Sequence, residues 1–99
     1  MRCYFEWDYQ KAVINQRKHD VSFEQASSVL GDAGAITVFD EEHSEDEERW
    51  VTIGLDRNGV LLVVVHTYRQ TDVACVRVRL VSARKATKNE AKQYQEMNS

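Results

Sequence analysis

The sequence predicts an α+β domain: a mostly antiparallel sheet with helices packed on one face, in the order β-α-α-β-β-β-β-α. Three observations carry that expectation. Leu61 to Val65 is apolar at five consecutive positions, the mark of a strand covered on both faces and therefore central in a sheet. Val76, Val78 and Leu80 alternate with Arg77, Arg79 and Val81, the period of a strand with one dry and one wet face. Ser22 with Gln25, and Thr87 with Glu90, form two capping boxes, each of which opens a helix.

In order, Tyr4 to Trp7 reads as a first strand, with Phe5 and Trp7 on one face. Asp8 is a good N-cap for a helix through about Lys18, whose apolar stripe is Ala12 and Val13. Ser22 opens a second helix, in which Phe23, Ala26 and Leu30 share one side, and Gly31 is its expected stop. Ala35 to Phe39 is a second strand. Asp40 to Glu48 holds seven carboxylates around His43 and Ser44, too charged to bury, and reads as an exposed connection. It lacks the glycine-centred loop and oxygen spacing of a calcium site.

Arg49 to Leu55 is a third strand. Asp56-Arg57-Asn58-Gly59 follows, and Asn-Gly is expected to form a type I′ hairpin that makes strands three and four antiparallel neighbours. The fourth strand runs to Arg69, a polar connection covers Gln70 to Asp72, and the fifth strand follows. A final helix carries Ala91, Tyr94 and Met97 as a thin apolar stripe.

Ninety-nine residues suffice for one domain, residues 1–99, with one modest core. No stretch approaches the roughly 20 apolar residues of a membrane span, and the N-terminus lacks the apolar core of a signal peptide. Cys3 and Cys75 are isolated and read as reduced, in a cytoplasmic setting. The three histidines and two cysteines show no metal-ligand spacing, so no metal or other cofactor is expected.

The net charge of −3 conceals a partition. Residues 1–48 hold 4 basic and 12 acidic side chains, whereas residues 49–99 hold 9 basic and 4 acidic. A basic face on an acidic protein still collects phosphates, because the field follows local arrangement. His66, Tyr68 and Arg69 at the end of one strand, with Ser82, Arg84 and Lys85 at the end of the next, form a candidate anion site. A plainer reading makes Arg77 and Arg79 the solvated face of an edge strand, His66 a structural histidine, and Lys18 and His19 cations favoured by a helix C-terminus.

Three segments taken together resemble a known family. Phe5-Glu-Trp-Asp8, Lys11-Ala12, Asn15 and Arg17-Lys-His19 run into Val21-Ser-Phe-Glu24 and Ala26. His43-Ser44, Glu47-Glu-Arg49 and Ile53-Gly54 follow, then Val63-Val-Val-His-Thr67, Arg69, Val81-Ser-Ala-Arg-Lys-Ala-Thr87 and Glu90. From Phe5 to about Tyr94 this is similar to the BrnT family of bacterial toxins. Asp20 departs from the pattern, standing where glycine usually ends the first helix. The resemblance implies a RelE-like fold, an RNA-cleaving activity that stalls translation, and neutralisation by a BrnA-like antitoxin, with DNA contacted only through that antitoxin.

Cleavage by this route sets the substrate's 2′-hydroxyl against the adjacent phosphate, and needs a base, an acid and cations around the phosphorane. On that expectation the catalytic candidates are Lys18, His19, His66 and Arg84. Histidine titrates near neutrality, and arginine presents a planar fork to phosphate. Arg49, Tyr68, Arg69, Arg79 and Lys85 are the RNA-binding candidates. The competing expectation is a module without catalysis: an RNA- or ribosome-binding domain, or a degenerate toxin retained as a co-repressor subunit.

Overall fold

The computed structural model describes residues 2–43 and 47–99, except the side chains of residues 2 and 3. Part of the acidic connection, residues 44–46, lies outside that description. The elements are β1 (Arg2–Glu6), α1 (Tyr9–His19), α2 (Phe23–Val29), β2 (Ile36–Phe39), a 3-10 turn (Glu41–His43), β3 (Arg49–Leu55), β4 (Leu61–Asp72), β5 (Cys75–Lys85) and α3 (Lys88–Met97). They form one five-stranded sheet in the order β1-β5-β4-β3-β2. β1 lies parallel to β5, and the other pairings are antiparallel. The apolar β4 is central, as its composition requires.

Local chemistry sets the helix ends. The Asp8 carboxylate accepts from the Lys11 N–H and opens α1. Both capping boxes close reciprocally, Ser22 with Gln25 and Thr87 with Glu90. Asp20 ends α1 in the left-handed region at φ 56°, a conformation that a side chain disfavours.

One face of the sheet carries α1 and α2. Val21, Phe23, Ala26 and Val29 pack there on Leu62, Val64, Val78, Leu80 and Ala83. Trp7 meets Phe23 edge-on at 5.9 Å. Burying each large aliphatic or aromatic side chain contributes roughly 1.5–3 kcal/mol, so this layer holds the fold together. α2 lies so close to β3 that a Cβ on Gly54 would come within 2.9 Å of Val29.

A register shift between Val65 and His66 lets Ala83 join Leu80 on the core face. The helix-side edge of β5 is satisfied there by a side chain. Asn15 on α1 donates to the Ala83 carbonyl at 2.9 Å and accepts from the Ala83 N–H at 3.0 Å. Its amide also donates to the Val21 carbonyl at 3.0 Å. Asn15 thus continues, beyond the end of β1, the hydrogen bonding that a neighbouring strand would supply.

Four expectations need correction. The helices do not all lie on one face. Gln93, Glu96 and Met97 of α3 border a groove with Ile36, Val38 and Ile53, side chains that alternate with Thr37 and Thr52 and so face away from α1 and α2. Apolar side chains on that second face require their own cover. α3 is pinned at its far end by Tyr94, whose hydroxyl donates to Asp32 at 2.7 Å, and by Asn98, which donates to the Gly34 carbonyl at 3.0 Å.

The Asn58-Gly59 turn makes β3 and β4 antiparallel neighbours but is not type I′, because only Gly59 has positive φ, at 81°. Gly59 N–H closes onto the Asp56 carbonyl, while the Asp56 carboxylate accepts from Asn58 and Val60. Gln70 to Asp72 is strand rather than connection, paired with β5 as far as Cys75. β5 is not an edge strand, because β1 lies against it.

Candidate active site

The face opposite α1 and α2 collects the arginines. Registers place Arg69 beside Arg77, and Thr67 between Arg79 and Arg49, across three adjacent strands. Tyr4 and Glu6 continue that face on β1, opposite Arg77 and Arg79. Together Glu6, Glu47, Glu48, Thr67, Tyr68, Arg69, Arg77 and Arg79 line a cleft of about 330 Å³. Arg79 pairs with Glu47, and Arg77 lies 3.8 Å from Glu6. These four side chains are each between 43% and 49% exposed, so the pairs exchange readily with solvent or an arriving anion. The Arg69 side chain has no hydrogen-bond or ion-pair partner among the described residues. The arrangement offers guanidinium forks for phosphate, with carboxylates beside them.

Of the residues expected from sequence, Arg69 and Arg79 gather in this cleft, Arg49 adjoins it by register, and Tyr68 forms its rim. The others lie elsewhere. His66 is wholly buried on the α1/α2 face, in mid-strand and opposite Leu80. Its Nε2 shares a 2.7 Å hydrogen bond with the Thr52 hydroxyl, which shares one of 2.8 Å with Thr37. Nδ1 has no hydrogen-bond partner among the described residues. Burial pushes this imidazole down to about 4, against a weaker upward influence of the Thr67 backbone. His66 is therefore neutral at physiological pH and turned away from the arginines.

Arg84 shares the arginine face but sits opposite Val63. That is about 13 Å along the sheet from the Thr67–Arg79 pair at roughly 3.3 Å per residue. Both its prongs engage Glu90, at 2.7 and 2.9 Å. The bond from Arg84 holds the Glu90 carboxyl down to about 2, and the Glu90 bond in turn raises the Arg84 guanidinium. Arg84 anchors the N-terminus of α3. The pairing of His66 with Arg84 expected at two strand ends is thus corrected: the two lie on opposite faces, and because β4 and β5 are antiparallel the end of one strand lies beside the start of the other. Lys85 is exposed at that far end. Lys18 and His19 flank a separate small cleft at the end of α1, with Lys11, Ile14, Asn15, Val81 and Ser82.

The cleft also contains residues that sequence reasoning did not select: Arg77, Glu6, Glu47, Glu48 and Thr67. The signal for Arg77 lay in its alternation with Arg79. Glu47 was hidden within an acidic run whose return to β3 only the fold reveals. Among the described residues, no three or more His, Cys, Asp or Glu side chains form a group able to hold a metal ion. Among them, too, no helix is long and apolar enough to cross a membrane.

Comparison with known proteins bears on the fold and the family. A search of curated protein sequences finds no match. The fold is similar to the 1.1 Å crystal structure of the Brucella abortus ribonuclease toxin BrnT, with a TM-score of 0.63 at 18% identity, covering 89% of this chain and 100% of that one. Residues 7–90 match the family model described as the ribonuclease toxin BrnT of type II toxin–antitoxin systems. The chain belongs to the BrnT ribonuclease toxin family.

Proposed function

We propose that this chain is the toxin of a type II toxin–antitoxin system, an endoribonuclease whose site is the arginine cleft. The observation that carries the reading is the gathering of Arg69, Arg77 and Arg79 with Glu47 around one open cleft on an otherwise acidic protein. An RNA phosphate displaces Glu47 and Glu6 from Arg79 and Arg77, and the arginines bind it in their place. The freed Glu47 carboxylate takes the proton of the 2′-hydroxyl as its oxygen attacks phosphorus. The P–O5′ bond breaks, and the departing oxygen is protonated from water. Guanidinium groups, rather than a metal ion, supply the charge that steadies the phosphorane. The products are a 2′,3′-cyclic phosphate and a 5′-hydroxyl.

The same reading makes the sheet RelE-like and places the protein in the cytoplasm, where cleavage of mRNA, ribosome-associated or free, stops translation. A BrnA-like antitoxin covers the basic face, and DNA is reached only through it. The test is purified protein on a defined RNA in EDTA, beside Arg79→Ala. Cleavage that persists in EDTA and is lost in the variant is the expected result. Loss in EDTA restored by Mg²⁺ or Zn²⁺ overturns the mechanism. Intact RNA, together with unimpaired growth of cells making the folded chain, favours the non-catalytic module.

A further inference from the structure

Phe5, Val78 and Tyr68 stand side by side on three adjacent strands, Phe5 opposite Val78 and Val78 opposite Tyr68. All three line a groove of about 370 Å³ between the sheet and the C-terminal end of α2. The outer two are aromatic and remain 39% and 44% exposed, while Val78 between them is buried. Strands lie about 4.8 Å apart, so the backbones of Phe5 and Tyr68 are separated by roughly 9–10 Å. Stacked rings sit about 4.5–7 Å centroid to centroid. The slot over Val78 therefore suits one planar ring.

Tyr68 is held in place by two other rings. The His66 ring meets it edge-on at 4.8 Å and the Trp50 ring at 6.0 Å. His66 is itself fixed by the Thr52–Thr37 hydroxyl chain. β3 ends with Arg49 opposite Thr67, so from Tyr68 onward the β3 side of β4 has no strand beside it among the described residues. Tyr68 and Arg69 are consecutive and project to opposite faces there, and Tyr68 borders both the groove and the arginine cleft. Tyr68 and Arg69 thus offer a ring and a guanidinium at adjoining positions of one strand.

We infer that the groove is a nucleobase subsite, in which an unpaired base of single-stranded RNA stacks on Tyr68 with Phe5 opposite. This rests on the ribonuclease reading and adds the form of RNA selected. Duplex RNA keeps its bases stacked inside the helix and presents none to the slot. The hydroxyls in the lining are already engaged, Ser27 with the Glu24 carbonyl, Ser28 with the Gln25 carbonyl and Thr37 with Thr52, so stacking rather than edge contacts holds the base. An RNA strand uses both the groove, through a base, and the arginines, through a phosphate.

The test uses the full chain and short single-stranded RNAs with 2-aminopurine at successive positions, read by fluorescence and by steady-state cleavage. One position is expected to quench on binding. Tyr68→Leu, which keeps bulk but removes the π-face, should abolish that quench and raise KM about 5- to 140-fold, the equivalent of about 1–3 kcal/mol per stacked base. Tyr68→Phe should restore both. A thermal melt shows that each variant is folded. Wild-type cleavage with no quenched position, and Tyr68→Leu matching wild type in KM, overturns the subsite and leaves the ribonuclease reading intact. Quenching by a wild-type chain that cleaves nothing supports the subsite and sinks the ribonuclease reading instead.

Discussion

Arg84 and Glu90 form a two-pronged ion pair, at 2.7 and 2.9 Å, that ties the end of β5 to the first turn of α3. The same carboxylate accepts from the Thr87 N–H, so one side chain closes the capping box and anchors the helix. Arg84→Ala is therefore expected to loosen α3, at about 1 kcal/mol after allowing for solvent screening of a half-exposed pair. Its effect on cleavage should be small beside that of Arg79→Ala. Urea unfolding and amide exchange across residues 88–97 check the first point, and kcat/KM the second.

Glu90 also gives a pH signature. Its folded-state carboxyl is held at about 2, below the ordinary value of 4.5, so its contribution is complete above 4.5 and is lost as pH falls toward 2. Glu90→Gln should flatten the stability profile in that window alone. An unchanged profile would show that the pair contributes nothing measurable.

His66 acts in a higher window. The folded imidazole titrates at about 4 and the unfolded one near 6.5, so between these values the unfolded chain binds more protons. Stability is fully present above 6.5 and falls as pH drops toward 4, by an amount on the order of 3 kcal/mol. His66→Ala should remove that slope and cost about 2–4 kcal/mol at pH 7 from the cavity left behind. Thermal melts between pH 4 and 8 measure both.

The arginine cleft should separate activity from stability. Arg79→Ala is expected to reduce kcat/KM on RNA by about 10²-fold or more while changing stability by no more than about 0.5 kcal/mol. Arg79→Lys should recover little, since lysine keeps the charge without the fork. Arg69→Ala and Glu47→Gln should fall in the same class. Wild-type cleavage by all of them would move the site elsewhere, with the Lys18–His19 cleft next to be tested.

Two substitutions on α1 test how the helix is held. Asn15→Ala leaves the Ala83 N–H and carbonyl and the Val21 carbonyl without their buried partner. A loss of about 2–5 kcal/mol is expected, since each orphaned buried group costs about 1–3 kcal/mol. Asp20→Gly should raise stability by roughly 0.5–1 kcal/mol, because it relieves the left-handed strain at φ 56°. Chemical denaturation reads both.

The sequence by itself determined the elements and the family. Capping boxes, the unbroken apolar run of β4 and the alternation in β5 are local patterns, and each is enforced by the backbone or by its immediate neighbours. Asn58-Gly59 announced a hairpin, although its turn type depended on where Asp56 placed its carboxylate. The site was only half legible, because it is built from residues far apart in the chain. Arg69, Arg77 and Arg79 could be read from two adjoining strands, but Glu6 and Glu47 join them only through the β1–β5 pairing and the return into β3. His66 shows the limit most clearly. Its residue type suggested catalysis, whereas the tertiary structure places it in mid-strand, where the α1/α2 layer buries it. A buried imidazole loses its charge, whereas the arginines of the cleft lie on the opposite face of the same two strands, open to water.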